Sequence, residues 1–231
     1  MLRFIVDNRK RALIAIILVG MAPTVSVLIS FATSGGTLSQ VAFILSKLWL
    51  FGLPLLWYLR VDGGEISWSK PMNGGYGMAV LMGLLTSSII VLAWLIFGKW
   101  LDTEHLRQSV EPLGLLDSRL YLAVALYWIL VNSVLEEYVF RWFIVEKSEV
   151  LVGHGLNAIL LSATIFVIHH SIAMYYFGFP WWTNILASIG LFIGGAIFSW
   201  LYVRYRSIWI PYITHAICDV AVFGVGYWML F

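Results

Sequence analysis

Residues 76–97 read YGMAVLMGLLTSSIIVLAWLIF, an uncharged run that as an α-helix would be about 33 Å long, enough to cross the hydrocarbon core of a bilayer. Further apolar runs of similar length lie at about 12–31, 41–59, 120–145, 156–177, 183–203 and 208–230. They are too continuously apolar for barrel strands, in which apolar and polar residues alternate, so each is predicted to be a helix. The sequence therefore predicts an all-α fold: a polytopic transmembrane helical bundle of about seven spans.

The composition excludes a water-soluble fold. Hydrophobic residues make up 61% of the chain and charged residues only 11%, against about 25% charged residues in soluble domains. The net charge is only +2 and the basic residues are scattered, so no nucleic-acid partner is expected. The single cysteine, Cys218, cannot form an intrachain disulfide. The bilayer is the expected partner, and the chain is expected in the plasma membrane.

The run 12–31 follows a basic N-terminal stretch and is interpreted as a retained signal anchor. Glycine-bearing turns are expected at 33–36, 62–64, 73–75 and 178–180.

The placement of lysine and arginine residues predicts the orientation of the chain in the membrane. A cytoplasmic N-terminus places on the cytoplasmic side Arg3, Arg9, Lys10, Arg11, Arg60, Lys70, Lys147, Arg204 and Arg206. The opposite side then carries Lys99, Arg107 and Arg119, and the C-terminus. A re-entrant 183–203 segment would instead return the C-terminus to the cytoplasm.

Ionisable residues inside the predicted spans need an explanation, because a charge in the hydrocarbon core is costly. The fourth span contains Glu136, Glu137 and Arg141. Glu137 and Arg141 stand four apart and are predicted to pair on one helical face, mainly to support folding. Glu136 lies about 100° around the helix from Glu137 and is left available for chemistry.

Two other spans also carry such groups. The fifth span contains His169 and His170, with His170 four residues after Phe166, and the seventh contains His215 and Asp219, also four apart. A single membrane histidine is commonly a packed or hydrogen-bonding residue. Polar groups on three separate spans are better explained by a shared task.

Peptide hydrolysis is a task that fits these groups, because it needs a base for water and donors for an oxyanion. Glu136 is the candidate base, assisted by His170, while His215 and Asp219 are candidates for stabilising the tetrahedral intermediate. No cofactor is required in this scheme. Zinc is the alternative, held by Glu136, His170 and His215 as a His₂Glu set, although the H-E-x-x-H pattern of zincins is lacking.

The three motifs together resemble those of the CPBP family of intramembrane proteases, which comprises CAAX proteases and bacteriocin-processing enzymes and is also called Abi. The family pattern E-E-x-x-x-R, F-x-x-x-H, H-x-x-x-N/D is matched in order by Glu136-Glu137-x-x-x-Arg141, Phe166-x-x-x-His170 and His215-x-x-x-Asp219. The resemblance covers 119–231, the expected catalytic membrane core. Residues 1–118 are expected to form N-terminal transmembrane helices without recognised motifs.

The resemblance implies an intramembrane endopeptidase that acts on a membrane protein or on a lipidated or hydrophobic peptide. It implies that Glu136 and His170 activate water, and that His215 and Asp219 stabilise the oxyanion. The chain departs from the family pattern at Trp142, where glycine is common, and at Asp219, where asparagine is more common. An ionised Asp219 would repel an oxyanion, so it must be protonated or act through His215.

Other functions were weighed against proteolysis. A catalytically inactive scaffold or immunity protein of the same family would not need Glu136. A haem or quinone protein, with His169 or His170 and His215 as axial ligands, leaves the glutamates and Arg141 unexplained. A proton-coupled transporter is disfavoured because the sequence shows no inverted repeat.

Overall fold

The computed structural model describes residues 2–32 and 37–231, and the ordered elements in these ranges are helical. The α-helices are α1 Leu2–Gly20, α2 Ala22–Ala32, α3 Thr37–Arg60, α4 Tyr76–Phe97, α5 Thr103–Val110, α6 Ser118–Tyr127, α7 Ser133–Glu136, α8 Glu146–Val152, α9 Leu156–Tyr176, α10 Trp181–Tyr205 and α11 Trp209–Leu230. Short 3₁₀ turns lie at Gly98–Trp100 and Glu111–Leu113. The π-helical segments Trp128–Asn132 and Glu137–Val145 join α6, α7 and α8 into one continuous helix, Ser118–Val152, here called the central helix.

The predicted membrane bundle is confirmed. Within the described ranges, seven helical segments are long and apolar enough to cross a membrane: Asn8–Ile29, Gln40–Arg60, Tyr76–Trp100, Ser118–Val152, Leu156–Tyr176, Trp181–Tyr205 and Trp209–Leu230. Residues 183–203 lie within the unbroken helix α10, so the structure favours a full crossing over a re-entrant segment. The turn expected at 33–36 lies outside the described residues.

The largest difference from the predicted boundaries is at the end of the fourth span, which continues past 145 to Val152. The extra turns contain Glu146, Lys147 and Glu149, charged residues that lie beyond the apolar run 120–145. Each has a partner: Tyr202 Oη donates to Glu146 at 2.7 Å, Lys147 Nζ lies 2.5 Å from Asp62, and Arg206 donates two bonds to Glu149. These partners allow the helix to continue with charged residues on its packed face.

The first span is interrupted between α1 and α2, at Met21. Pro23 lies two residues further on, and a proline removes one i→i−4 hydrogen bond of a helix. Both halves of the span pack into the main buried apolar cluster. That cluster joins α1, α2, α3, the central helix and α9, and includes Ala15, Ala22, Leu50, Phe143 and Phe166.

Helix α3 runs parallel to the central helix, and several contacts along its length fix the register of the two helices. Lys47 Nζ donates to Asn132 at 3.3 Å, and Tyr138 Oη donates to the carbonyl of Phe51 at 3.1 Å. Further along, the indole of Trp142 meets Tyr58 edge-on. The bulky Trp142 therefore packs α3 against the central helix.

Small residues let the remaining spans approach closely, as is common between membrane helices. A Cβ at Gly83 of α4 would lie 2.9 Å from the Ile217 side chain of α11, and Thr214 of α11 donates to the carbonyl of Ala79 at 2.9 Å. Between α9 and α10, a Cβ at Gly195 would lie 3.1 Å from the ring of Phe166. These contacts pair α4 with α11 and α9 with α10.

The connecting segments separate into two ends of the bundle. At one end Ser207 donates to the carbonyl of Ser69 at 2.5 Å, and Lys147 pairs with Asp62. At the other end Arg107 donates to the carbonyl of Leu230. With seven crossings, this places the segments 61–75 and 101–117 on opposite sides of the membrane.

A labelling experiment tests which of these two segments faces the cytoplasm. With a cytoplasmic N-terminus, a single cysteine at Met72, 86% exposed, faces the cytoplasm, and one at Leu113, 58% exposed, faces outward. In a Cys218→Ala background, a membrane-impermeant thiol reagent should label L113C in intact cells and M72C only after permeabilisation. The reverse pattern would overturn the predicted orientation.

Candidate functional site

The central helix is widened on both sides of the sequence-predicted glutamates. The π-helical segments Trp128–Asn132 and Glu137–Val145 flank the single α-helical turn Ser133–Glu136. π-Helical turns carry an extra residue per hydrogen-bonded ring and occur frequently at functional sites. Because the turn is widened, side chains that an ideal α-helix would separate can face the same neighbouring helices.

The predicted pair of Glu137 and Arg141 is present and fully buried. Arg141 Nε lies 3.2 Å from Glu137 Oε2, an ion-pair contact that lacks the alignment of a hydrogen bond. The guanidinium carbon lies 4.5 Å from the ring centre of Phe166 and 5.0 Å from that of Phe198. Cation–π contacts of this kind are strongest where the cation is desolvated, as it is here.

His215 lies among three carboxyl groups. Its Nδ1 lies 2.8 Å from Glu137 Oε1, and because a carboxylate can only accept, Nδ1–H is the donor. Its Nε2 lies 3.8 Å from Glu136 Oε2 and 3.6 Å from Asp219 Oδ1. The ring stacks on Phe198 at 4.8 Å. Glu136 and Glu137 therefore both approach the His215 ring, each at a different nitrogen.

Asp219 is held by a residue that sequence reasoning did not single out. Ser133 Oγ lies 2.6 Å from Asp219 Oδ2 and 2.8 Å from the carbonyl oxygen of Trp128, five residues earlier in the π-helical segment. The other carboxyl oxygen of Asp219 faces His215. The structure thus places Asp219 beside His215, where it can fix the orientation of that ring.

Glu136 accepts a hydrogen bond from its own helix, and the donor is itself bonded to a residue of α3. Its Oε1 accepts a 2.7 Å hydrogen bond from Asn132 Nδ2, and Asn132 Oδ1 in turn accepts one from Lys47 at 3.3 Å. Lys47 was not among the predicted site residues. The available signal was a lysine in the interior of an otherwise apolar span, which marks a functional position by default.

The F-x-x-x-H spacing orients His170. Its Nδ1 lies 2.9 Å from the carbonyl oxygen of Phe166, one helical turn earlier. A carbonyl can only accept, so Nδ1 carries the proton and Nε2 is left as an acceptor. One ring nitrogen of His170 and one carboxyl oxygen of Glu136 lie within 4.8 Å of each other. One water molecule can bridge a separation of this size.

The neighbouring His169 is the more deeply buried of the two histidines. Its ring stacks on Phe140 at 5.5 Å, and its Nδ1 has no hydrogen-bond partner among the described residues. Ligand atoms of Glu136, His169 and His170 all lie within 4.8 Å of one another, a donor set that zinc accepts. The compact His₂Glu group therefore contains His169 in place of the predicted His215, whose Nδ1 is bonded to Glu137.

Each carboxyl group of the cluster has a basic group nearby. Three carboxyl groups, those of Glu136, Glu137 and Asp219, lie among three basic groups, those of Arg141, His215 and Lys47. Unpaired charges at this depth would cost several kcal/mol each. Arg141 of the central helix itself and His215 of α11 are the partners that allow the glutamates to remain in the bundle.

Comparison with known proteins connects this cluster to one family. A family model described as Type II CAAX prenyl endopeptidase Rce1-like matches residues 118–221. No curated protein and no solved structure matches the chain. The matched segment carries all six candidate site residues of the first, second and third motifs, from Glu136 to Asp219, whereas Lys47 lies outside it. Residues 118–221 therefore form an Rce1-like domain, which matches the CPBP/CAAX protease family.

Proposed function

We propose that this protein is an intramembrane endopeptidase that hydrolyses a peptide bond in a membrane-associated protein or a lipidated or hydrophobic peptide. Membership of a CAAX-type protease family supports the reaction class. The observation that carries the proposal is the pairing of Glu136 with His170, whose ligand atoms lie within 4.8 Å. The Glu136 carboxylate is an anionic acceptor and the His170 imidazole a neutral one, and together they are proposed to bind and activate one water molecule.

In the proposed reaction Glu136 takes a proton from this water as the oxygen attacks the carbonyl carbon of the scissile bond. His170 Nε2 accepts a hydrogen bond from the same water and orients it. The C–N bond then breaks, and Glu136 returns the proton to the leaving amine. The hydrogen bond from Asn132 holds the Glu136 carboxylate in position for both transfers.

The developing oxyanion needs a donor, and His215 Nε2 is the proposed one. The bond from Nδ1 to Glu137 fixes the orientation of the ring, so that Nε2 faces Glu136 and Asp219. Asp219 is proposed to act through His215, because its carboxyl group is already bonded to Ser133 and faces the imidazole. This assignment removes the repulsion that an ionised Asp219 would exert on an oxyanion directly.

The other candidate functions gain no support from the geometry. An axial haem ligand needs a free imidazole nitrogen, whereas His215 Nδ1 is bonded to Glu137 and its Nε2 faces two carboxyl groups. A scaffold or immunity protein would not need Glu136 and His170 at a distance that one water molecule can bridge. Nor would it need a glutamate held by hydrogen bonds inside the membrane.

Glu136→Gln should remove proteolysis without unfolding the protein. Loss of a general base is expected to lower the rate by about 10²-fold or more, because glutamine cannot accept the proton. Mass spectrometry of membranes with wild-type protein should reveal a cleavage product that disappears in the variant. The matched control is Glu65→Gln, in an exposed loop, which should cleave like the wild type. Cleavage by the Glu136→Gln protein at the wild-type rate would contradict the proposed mechanism.

Arg141→Ala should act on stability first. It leaves Glu137 buried without its cation, at a cost on the order of 3–5 kcal/mol. Thermal unfolding in detergent should therefore occur at clearly lower temperature than for the wild type, while the Glu136→Gln protein should unfold near the wild-type temperature. An unchanged melting temperature with lost cleavage would make Arg141 a direct participant in the reaction.

The proposed chemistry needs no metal ion, and the trio Glu136, His169 and His170 makes this testable. Cleavage by the purified protein should survive 1,10-phenanthroline, and His169→Ala should affect cleavage much less than His170→Ala. Loss of activity with the chelator that added zinc restores, together with equal losses in the two histidine variants, would assign the reaction to a zinc site instead.

A further inference from the structure

Lys47 lies in the interior of the span Gln40–Arg60, seven residues and about 10 Å from its nearer end. A lysine at this depth is costly unless it has a partner. Its side chain is only half-buried, and the ammonium lies near the rings of Phe43 and Phe51, at 5.3 and 5.6 Å from their centres. These rings do not neutralise it, so the polar contacts of Lys47 must account for its presence.

The polar contact of Lys47 leads directly to Glu136. Lys47 Nζ donates to Asn132 Oδ1 at 3.3 Å, and Asn132 Nδ2 donates to Glu136 Oε1 at 2.7 Å. An asparagine amide has one accepting end and one donating end. Because an ammonium can bind only the accepting end, Lys47 forces the donating NH₂ group to face Glu136.

The ammonium is held in register with the site. Four residues after Lys47, the carbonyl of Phe51 accepts a hydrogen bond from Tyr138 of the central helix at 3.1 Å. Tyr138 in turn stacks on Trp142, at 5.0 Å between ring centres. These contacts therefore hold the part of α3 that carries Lys47 in a fixed position against the central helix.

Resting on the proposed function, we propose that Lys47 is a positioning residue of the active site, acting through the Asn132 amide to orient the Glu136 carboxylate toward water. Its side chain comes from α3, outside the segment 118–221 that matches the family model. The N-terminal helices therefore complete the catalytic site as well as anchoring it.

The test uses the full-length protein in liposomes, with a synthetic peptide that spans the cleavage site identified in membranes. Lys47→Met should lower kcat by about tenfold or more and leave KM within about twofold, since small displacements of a catalytic group mainly slow the chemical step. Lys47→Arg, which keeps a cationic donor, should restore kcat to within about threefold of the wild type. If Lys47→Met does not accumulate as folded protein, Lys47→Gln replaces it.

A double-mutant cycle tests whether Lys47 acts through Asn132. Because both belong to one chain of hydrogen bonds, Lys47→Met combined with Asn132→Ala should be no slower than Asn132→Ala alone. The matched control is Ser46→Ala on the same helix, which removes a 2.8 Å contact to Ser26 and should leave kcat unchanged.

The outcomes separate this inference from the proposed function. Wild-type protein without any cleavage that depends on Glu136 would overturn both. With an active wild type, an unchanged kcat in the Lys47→Met protein would overturn the positioning role alone. A change in KM with an unchanged kcat would assign Lys47 to substrate binding, and multiplicative losses in the double variant would show that it does not act through Asn132. Either result also contradicts the proposal.

Discussion

The cost of a charge inside a bilayer is the constraint on which the arrangement of this protein depends. Glu137 and Arg141 are both fully excluded from solvent, within a helix whose surroundings are apolar. Such groups persist only where opposite charges and hydrogen bonds lie close to them. Arg141 supplies the opposite charge to Glu137 from the same helix, and His215 of α11 supplies a hydrogen bond.

Three neighbouring helices add contacts to the cluster from different sides. Helix α11 brings His215 between the glutamates, α9 brings the phenyl ring of Phe166 under the guanidinium of Arg141, and α3 brings Lys47. The same contacts that lower the cost of burial also orient the proposed reactive groups. Folding of the bundle and assembly of the candidate site are therefore one process.

Much of this could be predicted from the sequence, because the membrane simplifies the problem. Apolar runs long enough to span gave the number and approximate bounds of the crossings, and the spacing of four gave the contact of Glu137 with Arg141. The spacing from Phe166 likewise singled out His170, whose Nδ1 is bonded to the Phe166 carbonyl. These features are local, set by the geometry of a single helix.

What could not be predicted depends on how different helices meet. The π-helical turns, the contact of both glutamates with His215, and the end of the central helix at Val152 follow from tertiary partners that no periodicity reveals. Lys47 could be noticed as an ion in an apolar span, but its chain of bonds to Glu136 needs the parallel register of α3 and the central helix. The proximity of His169 to Glu136 likewise needs the packing of α9.

The central claim is that Glu136 activates water and does not itself attack the peptide. A single turnover in H₂¹⁸O, with excess enzyme and the cleavage-site peptide, tests this most directly by mass spectrometry of the product and of the enzyme fragment containing Glu136. If Glu136 is a general base, ¹⁸O appears in the new carboxyl group of the product and none appears in Glu136. Label in Glu136 would show a covalent intermediate at that residue and would contradict the account.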